Sequence, residues 1–349
     1  MEGEAAPPDP VPQPESPSPP PRRRVWRAAL AVFLVLFVCA GGAGLWGYRA
    51  FEAPGPSNET VLVVIPPGAG VAGIAQRLQQ AGVIERRFVF EVGARLLHRR
   101  SLRAGEYEIP AHASARVIAD LLASGRTYVR QLTVPEGLTT AEALEIVGTA
   151  EALVGQITRQ PGEGDLLPET YNYSYGDKRE AVVARMADAM RRTLADLWEK
   201  RAPNLPFATP REALILASIV EKETGVAAER GRVAGVFINR LRLGMRLESD
   251  PTVVYALSRG GEPLGRLLLR KDLEFDDPYN TYRYAGLPPG PIANPGRATL
   301  AAVLSPMATD ELYFVADGQG GHRFARTYAE HLKNVARYRA LRDGQTPPD

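Results

Sequence analysis

The hydrophobic pattern divides the chain into three regions. Ala28 to Tyr48 runs 21 residues without a charge, and at about 1.5 Å per residue such a helix crosses the roughly 30 Å of a bilayer's hydrocarbon. Ahead of it, nine prolines fall between Pro7 and Pro21 among Glu, Asp, Ser and Gln. That composition cannot bury enough surface to offset its ordering entropy, so residues 1–24 are expected to be a disordered tail. Beyond the apolar run, short stretches of strand and helix periodicity alternate. The pattern predicts a transmembrane helix over 25–49, a Pro/Gly/Ser linker over 50–60, a small module over 61–127, a larger domain over 128–342, and a tail over 343–349.

In the small module, Val61-Leu-Val-Val-Ile65 reads as a buried strand stopped by Pro66-Pro67-Gly68. Val71, Ile74, Ala75 and Leu78 have helical spacing with Gly82 as a stop, Gly105 to Ile109 reads as a second strand, and Ser114 opens a helix that ends near Gly125. The larger domain continues with a helix from Thr140 to Val147, a turn-rich stretch from Glu163 to Tyr171, and helices over 178–200 and 210–221. A loop rich in Pro, Gly, Asn and Tyr follows from Asp276 to Gly296, then a strand from Glu311 to Ala316 and a helix from Thr327 to Arg342. Neither βαβ regularity nor all-β spacing persists, so the fold class is α+β with mixed elements.

Charge and composition narrow the function. Arg22, Arg23, Arg24 and Arg27 precede the apolar run, which predicts a cytoplasmic N-terminus and an exported remainder, and Trp26, Trp46 and Tyr48 lie where aromatic side chains favour the interface. The run exceeds the core of a cleaved signal peptide, so a retained single-span anchor is expected. With 42 Lys+Arg against 40 Asp+Glu, the chain lacks the basic excess of a nucleic-acid binder. Its one cysteine, Cys39, lies inside the span, and the four histidines form no H-E-x-x-H pair. No metal and no cofactor are therefore expected.

The candidate chemistry is carboxylate chemistry. Ala213-Leu-Ile-Leu-Ala-Ser-Ile-Val-Glu221-Lys-Glu223 is apolar on nearly every side, the mark of a buried helix. Glu221 extends a stripe through Leu214, Ala217 and Ser218, and a carboxyl in such surroundings is expected to hold its proton near neutral pH, as a general acid must. Periodicity alone leaves Glu223 as an alternative, while Lys222 should face outward. Tyr279, Asn280, Tyr282 and Asn294, in the Pro-rich loop, offer aromatic faces and hydrogen-bonding groups suited to sugars. Asp250-Pro-Thr252 reads as a turn opening a helix.

Together these strings resemble the membrane-anchored endolytic murein transglycosylases, the peptidoglycan terminases. The blocks that carry the resemblance occur in the family's order: Glu163-Gly with Leu167-Pro-Glu-Thr-Tyr171, Ala217-Ser-Ile-Val-Glu-Lys-Glu-Thr224, Ser249-Asp-Pro-Thr-Val253, Tyr279-Asn-Thr-Tyr through Asn294-Pro-Gly296, and Tyr313-Phe-Val-Ala-Asp-Gly to His322. The resemblance implies a LysM-like module at 61–127 and a catalytic domain after it. It implies cleavage of the β-1,4 bond between N-acetylmuramic acid and N-acetylglucosamine, leaving 1,6-anhydromuramic ends beside peptidoglycan synthases. It places the catalytic glutamate at Glu221. Expected substrate contacts are Glu169, Thr170, Tyr171, Glu223, Glu248, Asp250, Thr252, Tyr279, Asn280, Tyr282 and Asn294. Two residues depart from the family's pattern: Glu248 stands where glutamine is usual, and Glu169 where aspartate is common. Glu248 adds a carboxylate that would let water compete as a nucleophile. A hydrolytic muramidase and a non-catalytic wall-binding protein are the alternative readings.

Overall fold

A computed structural model describes residues 22–97, 102–262 and 264–344, and most of the expected tail at 1–24 lies outside them. The chain is a mixed α+β protein of two compact units that meet between Arg126 and Thr127. Among the described residues, one helix is long and apolar enough to cross a membrane. It lies within α1 (Arg22–Glu52), has a mean hydropathy of 2.4 over its most apolar window, and buries none of that window against the protein.

α1 runs three residues past the expected end of the span. Phe51 is 4% exposed in the core of the first unit, and it packs on a glycine of a neighbouring helix. A Cβ at Gly93 would lie 2.4 Å from the Phe51 ring, so only glycine admits this approach. The residues expected to form a free linker are also tied down. The Gly55 N–H donates to the His112 carbonyl (3.1 Å), and the His112 N–H to the Ser57 carbonyl (2.8 Å).

The rest of the first unit is β1 (Val61–Ile65), α2 (Val71–Gln80), α3 (Arg87–Leu97), β2 (Gly105–Ile109) and α4 (Ala115–Ser124). β1 and β2 pair antiparallel, with Val61 opposite Ile109 and Ile65 opposite Gly105. The Ser114 hydroxyl caps α4 by accepting the Val117 N–H, and Gly125 ends it in the left-handed region at φ 71°. Ile65, Ile74, Leu78, Phe90, Tyr107, Ile118 and Leu122 form the core. The hydrophobic pattern alone did not mark α3.

The second unit begins with β3 (Arg130–Thr133), α5 (Thr140–Thr149) and β4 (Thr170–Tyr173), with β3 and β4 antiparallel. α6 (Arg179–Glu199), α7 (Pro210–Glu223), α8 (Arg230–Arg242), α9 (Asp250–Ser258) and α10 (Arg297–Leu304) follow. A hairpin of β5 (Tyr313–Ala316) and β6 (His322–Ala325) packs against α11 (Tyr328–Arg342). α7 is the central helix and touches α6, α8, α9 and α10. Every residue from Ala213 to Val220 is buried, the all-round apolar character that its sequence predicts. A capping box of Thr209 and Glu212, with Pro210 in the first turn, starts it.

Candidate active site

The buried body of α7 delivers its last turn, Glu221-Lys222-Glu223, to a junction of loops. Lys222 faces outward, and its Nζ donates to the Gly137 carbonyl at 3.1 Å. The Pro-rich loop is fastened to α7 through Ser218, whose hydroxyl donates to the Ile215 carbonyl (2.7 Å) and accepts the Ile292 N–H (3.0 Å).

Glu221 sits in a donor-rich setting rather than the apolar one that the helical stripe implied. Its side chain is 5% exposed. Oε2 accepts the Gly296 N–H at 2.9 Å, and Oε1 lies 3.6 Å from Arg230 Nη2. Gly296 caps α10, so this carboxyl group also meets the positive end of a helix. Arg230 reaches Glu136 Oε2 as well (3.0 Å). A Cβ at Gly296 would fall 1.7 Å from Glu136 Oε1, so a side chain there would displace Glu136 from its place beside Arg230. Beyond Val220 the setting changes because Arg230, at the start of α8, and the loop before α10, 75 residues away, bring their donors to the next turn.

Glu223 has different surroundings. Burial pushes its carboxyl up to about 7, and the negative charge of Asp250 adds to that. A hydrogen bond from the Ser249 hydroxyl, together with His322 and Arg240, offsets part of the rise. Ser249 precedes α9, and Thr281 fixes its position. The Thr281 Oγ1 accepts the Ser249 N–H (3.0 Å) and lies 2.8 Å from Thr252 Oγ1, whose hydroxyl donates to the Ser249 carbonyl (2.6 Å). The next residue of the loop, Tyr282, donates its phenol to Asp250 Oδ1 at 2.6 Å. Burial raises that phenol well above its ordinary value, and the bond to Asp250 raises it further.

Arginine and histidine complete the surroundings. Arg240 is 8% exposed and donates to the carbonyls of Leu312, Leu247 and Arg246 (2.6, 2.9 and 3.1 Å) and to Glu248 Oε2 (3.2 Å). Glu248 occupies the left-handed region at φ 54°, unusual for a side chain of its kind. His322 at the start of β6 has Nδ1 2.7 Å from Glu229 Oε2, and its backbone N–H donates to Glu229 Oε1 (3.0 Å).

Of the residues expected at the site, Glu223, Glu248, Asp250 and Tyr282 are drawn together here. Ser249, Arg240, His322 and Glu229 were not anticipated. Ser249 and His322 stand inside the recognisable blocks, but nothing in a linear pattern shows that His322 comes near enough to Glu223 to act on it electrostatically. Several other expected contacts are internal fastenings. Asn294 is 1% exposed. Its Oδ1 accepts the Leu166 N–H (2.9 Å), and its Nδ2 donates to the Leu138 carbonyl (3.1 Å) and to Thr140 Oγ1 (3.2 Å). Asn280 is fully buried and holds the carbonyls of Leu273 and Phe275. Thr252 is likewise buried, and the Tyr171 phenol donates to the Leu167 carbonyl inside a core. These polar side chains are already paired within the protein and present no free group to a sugar. Thr170 pairs with Thr133 across β3 and β4 (2.9 Å), Glu169 borders a shallow cleft with Arg192 and Asp196, and Tyr279 packs on Tyr255 (4.9 Å between ring centres) under Arg259.

A cleft of about 560 Å³ between α6 and the start of α7 is lined by Arg159, Asp165, Arg191 and Arg211 and does not include Glu223. Chemistry rather than volume therefore marks the candidate site. Among the described residues no group of three or more His, Cys, Asp or Glu is arranged to hold a metal ion.

The YceG-like family matches residues 63–337, and the chain belongs to it. It is 31% identical over 330 residues to the endolytic murein transglycosylase of Bacillus subtilis (strain 168), covering 85% of this chain and 90% of that one. It is 28% identical over 362 residues to the endolytic murein transglycosylase of Streptococcus pneumoniae (strain D39), covering 89% of this chain but 65% of that longer protein. The crystal structure of a yceG-like protein from Listeria monocytogenes aligns at a TM-score of 0.48 and 30% identity, over 79% of this chain and 99% of that one.

Proposed function

We propose that this protein is an endolytic murein transglycosylase, anchored by α1 with its N-terminus in the cytoplasm and both units on the far side of the bacterial inner membrane. Its substrate is the glycan strand of peptidoglycan, cut at the β-1,4 bond between N-acetylmuramic acid and N-acetylglucosamine. Cuts in nascent strands would limit their elongation beside the synthases. The first unit, with two strands and helices packed on them, would serve as the LysM-like glycan-holding module. The relatives' names and the carboxylate cluster at the end of α7 support this reading.

Its chemistry needs one proton donor. Glu223 protonates the glycosidic oxygen as the bond to the muramic anomeric carbon breaks. The muramic 6-hydroxyl then attacks that carbon and returns its proton to the Glu223 carboxylate. A 1,6-anhydro ring forms, no water is consumed and the acid is regenerated. The observation that carries this assignment is the placing of Glu223 at the end of α7, its carboxyl on the Ser249 hydroxyl and beside the Asp250–Tyr282 pair, where burial pushes it up to about 7 and favours the protonated form near neutral pH. Glu221, which the family resemblance indicates, has its oxygens engaged by Arg230 and the Gly296 N–H. We assign it the positioning of α10 and of the loop before it.

A second reading has its own observation. Asp250 lies close enough to act on Glu223 electrostatically, and an acid with a second carboxylate is the equipment of a hydrolytic glycosidase. On that reading water takes the place of the 6-hydroxyl.

The pH dependence of cleavage tests the assignment of the acid. Glu223 is protonated below its raised value and loses its proton above it. Cleavage of purified glycan strands should therefore decline as pH rises through about 7. In Ser249→Ala, which removes a hydrogen bond that favours the carboxylate, the decline should move to higher pH. A rate unchanged across this range would remove Glu223 from the role, and no cleavage by the folded full chain would leave binding alone.

A further inference from the structure

α3 has two apolar faces, and among the described residues one of them lacks a partner. Val89, Phe90 and Ala94 are buried in the core of the first unit, as one stripe of a surface helix should be. The outward stripe of such a helix is normally polar. Here it carries Phe88, Val92 and Leu96, one turn apart, with Leu97 beside them, and Phe88 and Leu96 are 73% and 75% exposed. These residues line an open groove of about 370 Å³ whose other wall is Ala43, Gly44, Trp46, Gly47 and Tyr48 of α1.

That second wall is part of the apolar run itself. Ala43 stands five residues before Tyr48, where the uncharged run ends, which places it about 7 Å inside the span at 1.5 Å per residue. The groove cannot stay in water if α1 crosses the bilayer, because one of its walls is already at membrane depth. An amphipathic helix lying in the interface buries its apolar face by about 5–10 Å, the same depth. The charges near α3 agree with that placement. The Arg86 guanidinium stacks 5.1 Å from the centre of the Trp46 ring, Arg116 borders the groove in an ion pair with Glu52 (2.5 Å), and Arg87 and Arg95 are exposed on α3 itself. Glu91, an acidic residue of α3, is neutralised between Arg87 and Arg95 (3.3 and 3.8 Å).

We propose that α3 is a second membrane contact: Phe88, Val92, Leu96 and Leu97 insert at the boundary between headgroups and acyl chains of the leaflet where α1 emerges, with the neighbouring arginines on lipid phosphates. The first unit is then held against the bilayer surface by two helices rather than swinging from one. This rests on the reading of α1 as a membrane anchor, and on nothing assumed about the catalytic site.

Depth-dependent fluorescence quenching tests it. The full chain carrying Cys39→Ser would be reconstituted in phosphatidylethanolamine and phosphatidylglycerol vesicles. Single substitutions Leu36→Cys, Phe88→Cys, Leu96→Cys and Leu62→Cys would each carry an environment-sensitive dye. Leu36 lies in the span, and Leu62 is exposed on β1. Spin-labelled lipids should quench most of the emission at Leu36, Phe88 and Leu96. The shallow label should act most strongly at Phe88 and Leu96, and Leu62 should be little affected. Quenching at Leu36 with Phe88 and Leu96 no different from Leu62 would overturn the proposal and leave the anchor intact. Absence of quenching at Leu36 would overturn the anchor, and the proposal with it. Hydrogen exchange on the unlabelled chain provides an independent check, since α3 amides should exchange more slowly in vesicles than in detergent.

Discussion

Glu223→Gln is expected to lower the rate of strand cleavage by about 10²–10⁴-fold, the contribution of a positioned general acid, while the protein stays folded. Glutamine keeps the size and can still accept the Ser249 hydroxyl, but it has no proton of suitable acidity to give. The same substitution relieves a buried carboxyl of its ionisation, so the variant should be at least as stable as the parent at pH 8. Glu221→Gln should behave in the opposite way. It keeps an acceptor for the Gly296 N–H but removes the charge that faces Arg230. A loss of about 1–3 kcal/mol in stability is expected from weakening a buried, charge-assisted contact, with a smaller loss of rate. Cleavage rates and urea midpoints for the two variants, measured together, separate the roles. A folded Glu221→Gln that is inactive beside an active Glu223→Gln would reverse them.

Asn294→Ala is expected to cost about 1–3 kcal/mol of stability. Its amide satisfies the Leu166 N–H, the Leu138 carbonyl and the Thr140 hydroxyl, all in positions where water does not reach easily. Truncation strands the Leu166 N–H at about 1–3 kcal/mol, whereas the Leu138 carbonyl keeps the Asn294 backbone N–H (2.8 Å) and the Thr140 hydroxyl keeps the Gly162 carbonyl (3.0 Å). The loop is also the element that carries Gly296 to Glu221. The variant should therefore lose activity through misplacement of that loop, with its urea midpoint falling in parallel. An unchanged midpoint would show that the Asn294 amide is not a fastening and return it to the candidate substrate contacts.

The sequence revealed α7 and its neighbours unevenly, and the reasons are physical. An all-apolar run ending in Glu-Lys-Glu can only be a buried helix with charged residues at its mouth, so α7 and the outward Lys222 were legible. The choice between the two glutamates was not. It depends on Arg230, Gly296 and Ser249, which reach α7 from segments 9 to 75 residues away in the chain. Asn280 and Asn294 looked like sugar ligands because amides in a Pro-rich loop commonly are. In this fold the loop has no regular backbone pairing, so its side-chain amides supply the hydrogen bonds that a sheet would have provided. α3 escaped notice because apolar residues on two faces blur the helical period, and the same feature underlies the membrane contact proposed for its outer face.

The central claim is that the muramic acid's own hydroxyl, and not water, completes a cleavage begun by Glu223. Mass spectrometry of the products from purified glycan strands tests this most directly, with cleavage run in ¹⁸O-labelled water. The account predicts internal fragments that end in 1,6-anhydromuramic acid and carry no label, absent when Glu223→Gln replaces the parent. Reducing-end fragments carrying the heavy oxygen would contradict it, and would make Asp250 and Glu248 the residues that direct water to the anomeric carbon.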